Sequence, residues 1–170
     1  MICQDYAKQL KDVFALQGSP VGVAFSDAPA SSGKSQKALA CVSLYQAARK
    51  GATFNITADT CTCPGGLTSL GLGAPSPERA ARVKKFLIHG EKFSSCNATF
   101  FLGRALSVSQ SLVGISKYVV VGPLDDFELE PDLVLFLCNS AQASRLVTLS
   151  TYESGIPVSA QLSSSTCGGA

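Results

Sequence analysis

The sequence predicts an α/β (or α+β) fold: a single domain, residues 1–170, with a mixed β-sheet flanked by helices. Three observations carry this expectation. Short β-rich runs alternate along the chain with amphipathic helical stretches, the pattern of a sheet packed against helices. Two of the runs, Tyr118 to Val121 and Leu133 to Leu137, are continuously apolar, as in strands buried on both faces. The length of 170 residues suits one domain, and no internal repeat or long linker divides it.

The elements follow in order. Gln4 to Leu16 places Tyr6, Leu10, Val13 and Phe14 on one stripe, which predicts a helix stopped at Gly18. Val21 to Phe25, after Ser19-Pro20, reads as a strand. Ala28 to Gln36 is a Ser/Gly/Pro loop. Val42 to Arg49 predicts a helix with basic residues in its last turn and Gly51 after it. Thr53 to Thr57 predicts a strand. The following Gly-rich segment is a loop with one helical turn at Leu67 to Leu70.

Ser76-Pro77-Glu78 has the makings of a helix start, with Ser as N-cap, Pro at the first position and an acid in the first turn. Val83, Phe86 and Leu87 form its apolar face, and Gly90 ends it. Asn97 to Leu106 reads as helix. Ser140 is expected to cap a helix running to Thr151. A last strand is expected near Ile156, kept to an edge by Pro157.

Composition narrows the function classes. Hydrophobic residues make up 46% and charged residues 15%, below the roughly 25% charged that is usual. A buried sheet or a homo-oligomer interface accounts for so little charge. The net charge is +2 and no basic cluster is present, which argues against nucleic acid. The absence of Trp removes the best base-stacking side chain. No run approaches the roughly 18 apolar residues of a membrane span, and the polar N-terminus has no apolar signal-peptide core. The expectation is a cytoplasmic protein with reduced thiols, so seven cysteines point to metal or redox chemistry rather than to disulfides. Asn55-Ile56-Thr57 and Asn97-Ala98-Thr99 are read as chance glycosylation matches.

Two motifs are decoys. Gly33-Lys34-Ser35 looks like the end of a P-loop, but Ala28 stands where the first glycine belongs. Gly71-Leu72-Gly73 has no third glycine in place and does not follow a strand. His89 is the single histidine and is expected at a helix end on the surface.

The cysteines are the informative set. Cys61 and Cys63 lie in TCTCPGG, where the backbone amides of Gly65 and Gly66 are free to face an anion. Such donors stabilise sulfur-borne charge in thiolate clusters. Pro64 fixes the chain after Cys63, and the glycines permit a tight wrap. Cys41 stands at the start of a helix, whose dipole favours a thiolate. Cys167 precedes Gly168 and Gly169, a setting like that of Cys63. Cys3 and Cys96 read as buried small hydrophobes, and Cys138, at the end of a buried strand just before a helix start, reads as core with a ligand role as the alternative. The spacing is C-x-C, and no C-x-x-C pair exists in the chain, so neither a zinc ribbon nor a thioredoxin-like site is indicated.

GSPVGVAF, CVSLYQAARKGATFNIT, CPGGLTSLGLG, KYVVVGPLDDF and DLVLFLCNSAQASRLV occur in this order. Together they resemble the uncharacterised ArCR family, over about Leu16 to Ala170. The resemblance implies that Cys41, Cys63 and Cys167 match family cysteines and that metal or iron–sulfur binding is their use. It also implies a chain lacking a C-terminal segment, because family members look longer. It carries no activity.

Three classes of function remain open, and beside them a purely structural partner protein whose lean charge content would reflect an interface. The first is a thiolate-metal protein with Cys41, Cys61, Cys63 and Cys167 as ligands. Thiolates favour an iron–sulfur cluster, with zinc as the alternative, and a redox partner would follow. The second is a non-catalytic module binding a small molecule or cofactor, with Gly122-Pro123-Leu124 and the Gly-rich loop framing a pocket. The third is a thiol enzyme, with Cys63 or Cys41 as nucleophile and His89 or Asp59 as base.

Overall fold

The structure is a computed structural model and describes residues 2–73, 76–110 and 113–159. Its helices are α1 (Ile2–Val13), α2 (Ala40–Lys50), α3 (Pro64–Ser69), α4 (Pro77–His89), α5 (Ser95–Gln110) and α6 (Ser140–Thr151). Its strands are β1 (Val21–Ser26), β2 (Phe54–Ile56), β3 (Tyr118–Pro123) and β4 (Leu133–Leu135). The sheet has the order β2-β3-β1-β4. All pairings between these strands are antiparallel. Two isolated parallel bridges, Lys34 with Phe54 and Ala38 with Cys61, lie outside the named strands. The domain therefore combines helices and sheet as expected.

The register explains the core. Val23 pairs with Val121, Phe25 with Val119, and Phe54 with Val121. With a side-chain period of two, these residues and Val21 and Ile56 share one sheet face. Alanines of α2, Ala40, Ala47 and Ala48, pack against that face together with Cys61 and Leu67. Alanine allows the helix to lie close to the strands, so small residues on α2 set the interlayer distance. On the other face Gly22 pairs with Gly122. A Cβ on either would stand 2.8 or 3.1 Å from the Phe127 ring, so the glycine pair makes the slot that ring fills. Gly122 also lies against Thr53.

Residues 27–38 form a strap along the outer edge of β2. Lys34 N donates to Thr53 O at 2.9 Å, and Asn55 N to Lys34 O at 3.0 Å. The Asn55 side chain, buried at 3% exposure, clamps the strap from behind. Its Oδ1 accepts from Ala30 N at 2.9 Å, and its Nδ2 donates to Ala30 O and Gly33 O, each at 3.0 Å. A Cβ on Gly33 would come within 2.4 Å of that amide. From outside, Glu128 accepts from Ser31 N and Oγ and from Ser32 N at 2.6–2.9 Å.

These bonds, led by the Ser31 hydroxyl and followed by Ser32 and the backbone amides, lower the Glu128 pKa from 4.5 to about 2. A depressed carboxylate pKa adds stability above the unfolded value and loses it as pH falls through the folded one. The strap anchorage is thus complete above pH 4.5 and fades towards about pH 2. Glu128→Gln is expected to weaken the protein at neutral pH and to flatten this part of its acid dependence. Thermal melts of both proteins across the acid range check the expectation.

Several local expectations are corrected. Helix α1 ends at Val13, before Gly18. Leu16 N donates to Lys11 O at 3.0 Å and Ala15 N to Asp12 O at 3.3 Å, closing a Schellman motif with Ala15 at φ 49°. The hydrophobic residues that continue the stripe, Phe14 and Leu16, are buried outside the helix. The α6 cap is Asn139 rather than Ser140, in a full capping box with Gln142. In α4, Leu87 is buried but Phe86 is 58% exposed. Strand β4 is an exposed edge and is not covered on both faces, because no described helix packs over it. Residues 156–159 form no strand. No helix among the described residues is long and apolar enough to cross a membrane.

Candidate thiol site

The strap builds the candidate site. After Lys34 the chain reaches Ala38, whose N donates to Thr60 O and whose O accepts from Thr62 N, both at 3.0 Å. This parallel bridge fixes Cys61 beside the segment that leads into α2. Thr57 and Thr60 close the preceding turn, with Thr57 N donating to Thr60 Oγ1 at 2.8 Å. Cys61 is thereby held in the core at 8% exposure, and its Sγ lies 3.6 Å from Cys63 O.

Cys63 is the N-cap of α3, and Pro64 follows at the first helical position. Proline suits that place because its missing N–H has no intrahelical partner to lose. The Gly66 N–H donates to Cys63 Sγ at 3.2 Å, and Leu67 N donates to Cys63 O at 2.8 Å. The sulfur therefore occupies the place that a serine oxygen takes in a common helix cap.

Gly66 is the centre of the arrangement. A Cβ built on it would lie 2.8 Å from Ala40 Cβ and 3.5 Å from both Cys61 Sγ and Cys63 Cβ. The start of α2, the buried thiol and the capping thiol thus meet around one hydrogen atom. Gly66→Ala is expected to push α2 from the loop and to cost about 1–3 kcal/mol through overpacking. Urea unfolding of the variant measures this, and a cost below about 0.5 kcal/mol would mean that the contact relaxes freely.

The predicted site residues divide accordingly. Cys61, Cys63 and Gly66 come together. Gly65 lies in the first turn of α3. Cys41 is the residue after Ala40, in the first turn of α2, and its side chain is exposed. The N-cap of that helix, Leu39, makes no side-chain capping bond. Cys167 lies outside the described residues. Among the described residues no three His, Cys, Asp or Glu side chains form a metal-holding group. Cys96 and Cys138, expected in the core, are exposed, since each sits at a helix boundary without a covering element. His89 ends α4 on the surface, and Asp59 is exposed in the turn before Cys61.

Sequence reasoning missed the strap, Asn55 and Glu128. The Asn55 signal was present in FNI, a polar residue between two apolar ones in a strand. Read as alternation it points to solvent. The neighbouring Ser/Gly/Pro loop was the clue that something polar had to be bonded instead.

Comparison with curated proteins and with solved structures returned no match. Residues 9–170 match the family described as Uncharacterised ArCR. That span is nearly the whole chain and contains every element of the strap, sheet and thiol loop; the chain belongs to the uncharacterised ArCR family.

Proposed function

We propose that the chain binds a thiolate-ligated metal centre, an iron–sulfur cluster before zinc, with Cys61 and Cys63 as its fixed ligands. The carrying observation is the convergence at Gly66: two sulfurs of a C-x-C loop beside one glycine, with its N–H donating to one of them at 3.2 Å. Backbone donors of this kind offset the negative charge of metal-bound thiolates and tune their potential. Cys41 is the third ligand, one residue beyond the Ala40 contact, and Cys167 the fourth. Soft sulfur donors select iron–sulfur or zinc over magnesium and calcium. The proposed setting is the reducing cytoplasm, where thiols are kept reduced. With a cluster bound, the role would be electron transfer to a redox partner.

Thiol alkylation tests this reading. Reconstitution with ferrous iron and sulfide, or with zinc, is expected to protect Cys61, Cys63, Cys41 and Cys167 from iodoacetamide, and to leave Cys96 and Cys138 reactive. Equal labelling of all cysteines before and after reconstitution would sink the proposal. Protection of none but with rapid labelling of Cys63 in the untreated protein would favour the thiol-enzyme reading instead.

A further inference from the structure

The backbone amides of the strap turn fall into two sets. Three are used inward: Ala30 N donates to Asn55 Oδ1 at 2.9 Å, Gly33 N to Ala30 O at 3.1 Å and Lys34 N to Thr53 O at 2.9 Å. The two successive amides between them are turned the other way, towards Glu128. Ser31 N and Ser31 Oγ donate to Glu128 Oε2 at 2.9 and 2.6 Å, and Ser32 N donates to Glu128 Oε1 at 2.9 Å. Three donors from two adjacent residues thus hold both oxygens of one carboxylate. Consecutive amides aimed at one point form a concavity that takes anions. In keeping with this, the Ser31 and Ser32 donors hold the Glu128 pKa at about 2, below the usual 4.5.

The seat and the segment that fills it are each fixed without the other. Asn55 and Lys34 shape the turn from behind, through bonds in which Glu128 has no part. The segment carrying Glu128 is pinned on both sides of it. Leu124 N donates to Pro20 O at 2.8 Å and Asp132 N to Val23 O at 2.9 Å, while Phe25 N donates to Asp132 Oδ2 at 2.7 Å. Phe127, next to Glu128, fills the slot over Gly22 and Gly122. Ser31, Ser32 and Glu128 are all exposed. The Glu128 side chain can therefore leave for water while the turn and the segment stay in place. A preformed site of this kind costs a ligand little ordering.

We infer that the Ser31–Ser32 turn is a binding site for a carboxylate-bearing ligand, with Glu128 as its built-in competitor. The incoming carboxylate takes the same three donors, and the Glu128 side chain turns out to solvent. The ligand class follows from the occupant, a carboxylate held through both oxygens. The three donors are uncharged, so they suit a single negative charge better than the nearly double charge of a phosphate group. The inference does not depend on the thiol site.

Glu128→Ala in the full chain empties the seat. Titration with sodium acetate, against sodium chloride at equal ionic strength, is followed through the amide NMR signals of the strap. In Glu128→Ala the Ser31 and Ser32 signals are expected to move along a saturating curve, while those of Ala30 and Gly33 stay. In the wild-type chain the midpoint is expected at least about tenfold higher, because a carboxylate tethered beside the seat competes intramolecularly. Inorganic phosphate is expected to move the two signals less than acetate does. Ser31 and Ser32 signals that respond to acetate no more than to chloride in Glu128→Ala overturn the inference. So does a response to phosphate alone, or an equal midpoint in the two chains. A Glu128→Ala chain that loses its β1 and β3 signals also overturns it, because the seat would then depend on its occupant.

Discussion

Asn55→Ala is expected to lower unfolding stability by about 3 kcal/mol, the largest effect of any single polar truncation considered for this chain. The asparagine is buried and serves both polar groups of Ala30 and the carbonyl of Gly33. Truncation removes three hydrogen bonds at once and leaves the backbone groups they served facing a small void. Each such orphaned group costs about 1–3 kcal/mol when water cannot replace the partner. Asn55→Asp is expected to be no better at neutral pH. It keeps the acceptor for Ala30 N but turns a carboxylate towards two carbonyl oxygens, with no donor between them. Guanidinium unfolding of the three proteins checks this. A loss below about 1 kcal/mol for both variants would show that the strap is held by Lys34 and Glu128 without the buried amide.

Cys63→Ser is expected to weaken metal binding while leaving the fold intact. The separation follows from the geometry. Cys63 acts as a helix N-cap through its sulfur, and serine is a preferred residue at that position. The Gly66 N–H would find a hydroxyl oxygen in place of Sγ, so α3 keeps its cap. A neutral hydroxyl is a poor ligand for soft metals, so affinity should fall by at least about tenfold. The melting temperature of the metal-free variant is expected to equal or exceed that of the metal-free parent. Retained stoichiometric metal in Cys63→Ser would remove Cys63 from the ligand set. Cys61→Ser is a less clean probe, because Cys61 is part of the apolar core and a hydroxyl there is buried.

Elements that declare themselves locally were legible. The apolar run of β3, the Pro77 start of α4 and the Gly51 end of α2, in the left-handed conformation at φ 64°, all follow from residue chemistry within a few positions. The exposure of β4 was not legible. LVLFLC is as apolar as the buried β3, and only the sheet order puts it at an edge. Cys138 was misread for the same reason: apolar neighbours in sequence do not supply neighbours in space.

The site was legible in part. The C-x-C-P-G-G string put Cys61, Cys63 and Gly66 in one short segment, and the fold keeps them in contact. Its tie to α2 was not readable, because it passes through an Ala38–Cys61 bridge between two irregular segments. The strap has no hydrophobic period to reveal it. Its order comes from Asn55 and Glu128, respectively 25 and 97 residues from the groups they bind in Ala30 and Ser31.

The most direct measurement is the iron, acid-labile sulfide and zinc content of anaerobically purified protein, taken with its visible absorption spectrum. The account predicts iron and sulfide in stoichiometric amounts with a broad thiolate-to-iron band, weakened in Cys63→Ser. Zinc in their place would keep the thiolate centre and change its metal. A colourless protein that holds none of these, and takes up neither iron with sulfide nor zinc on reconstitution, would contradict it.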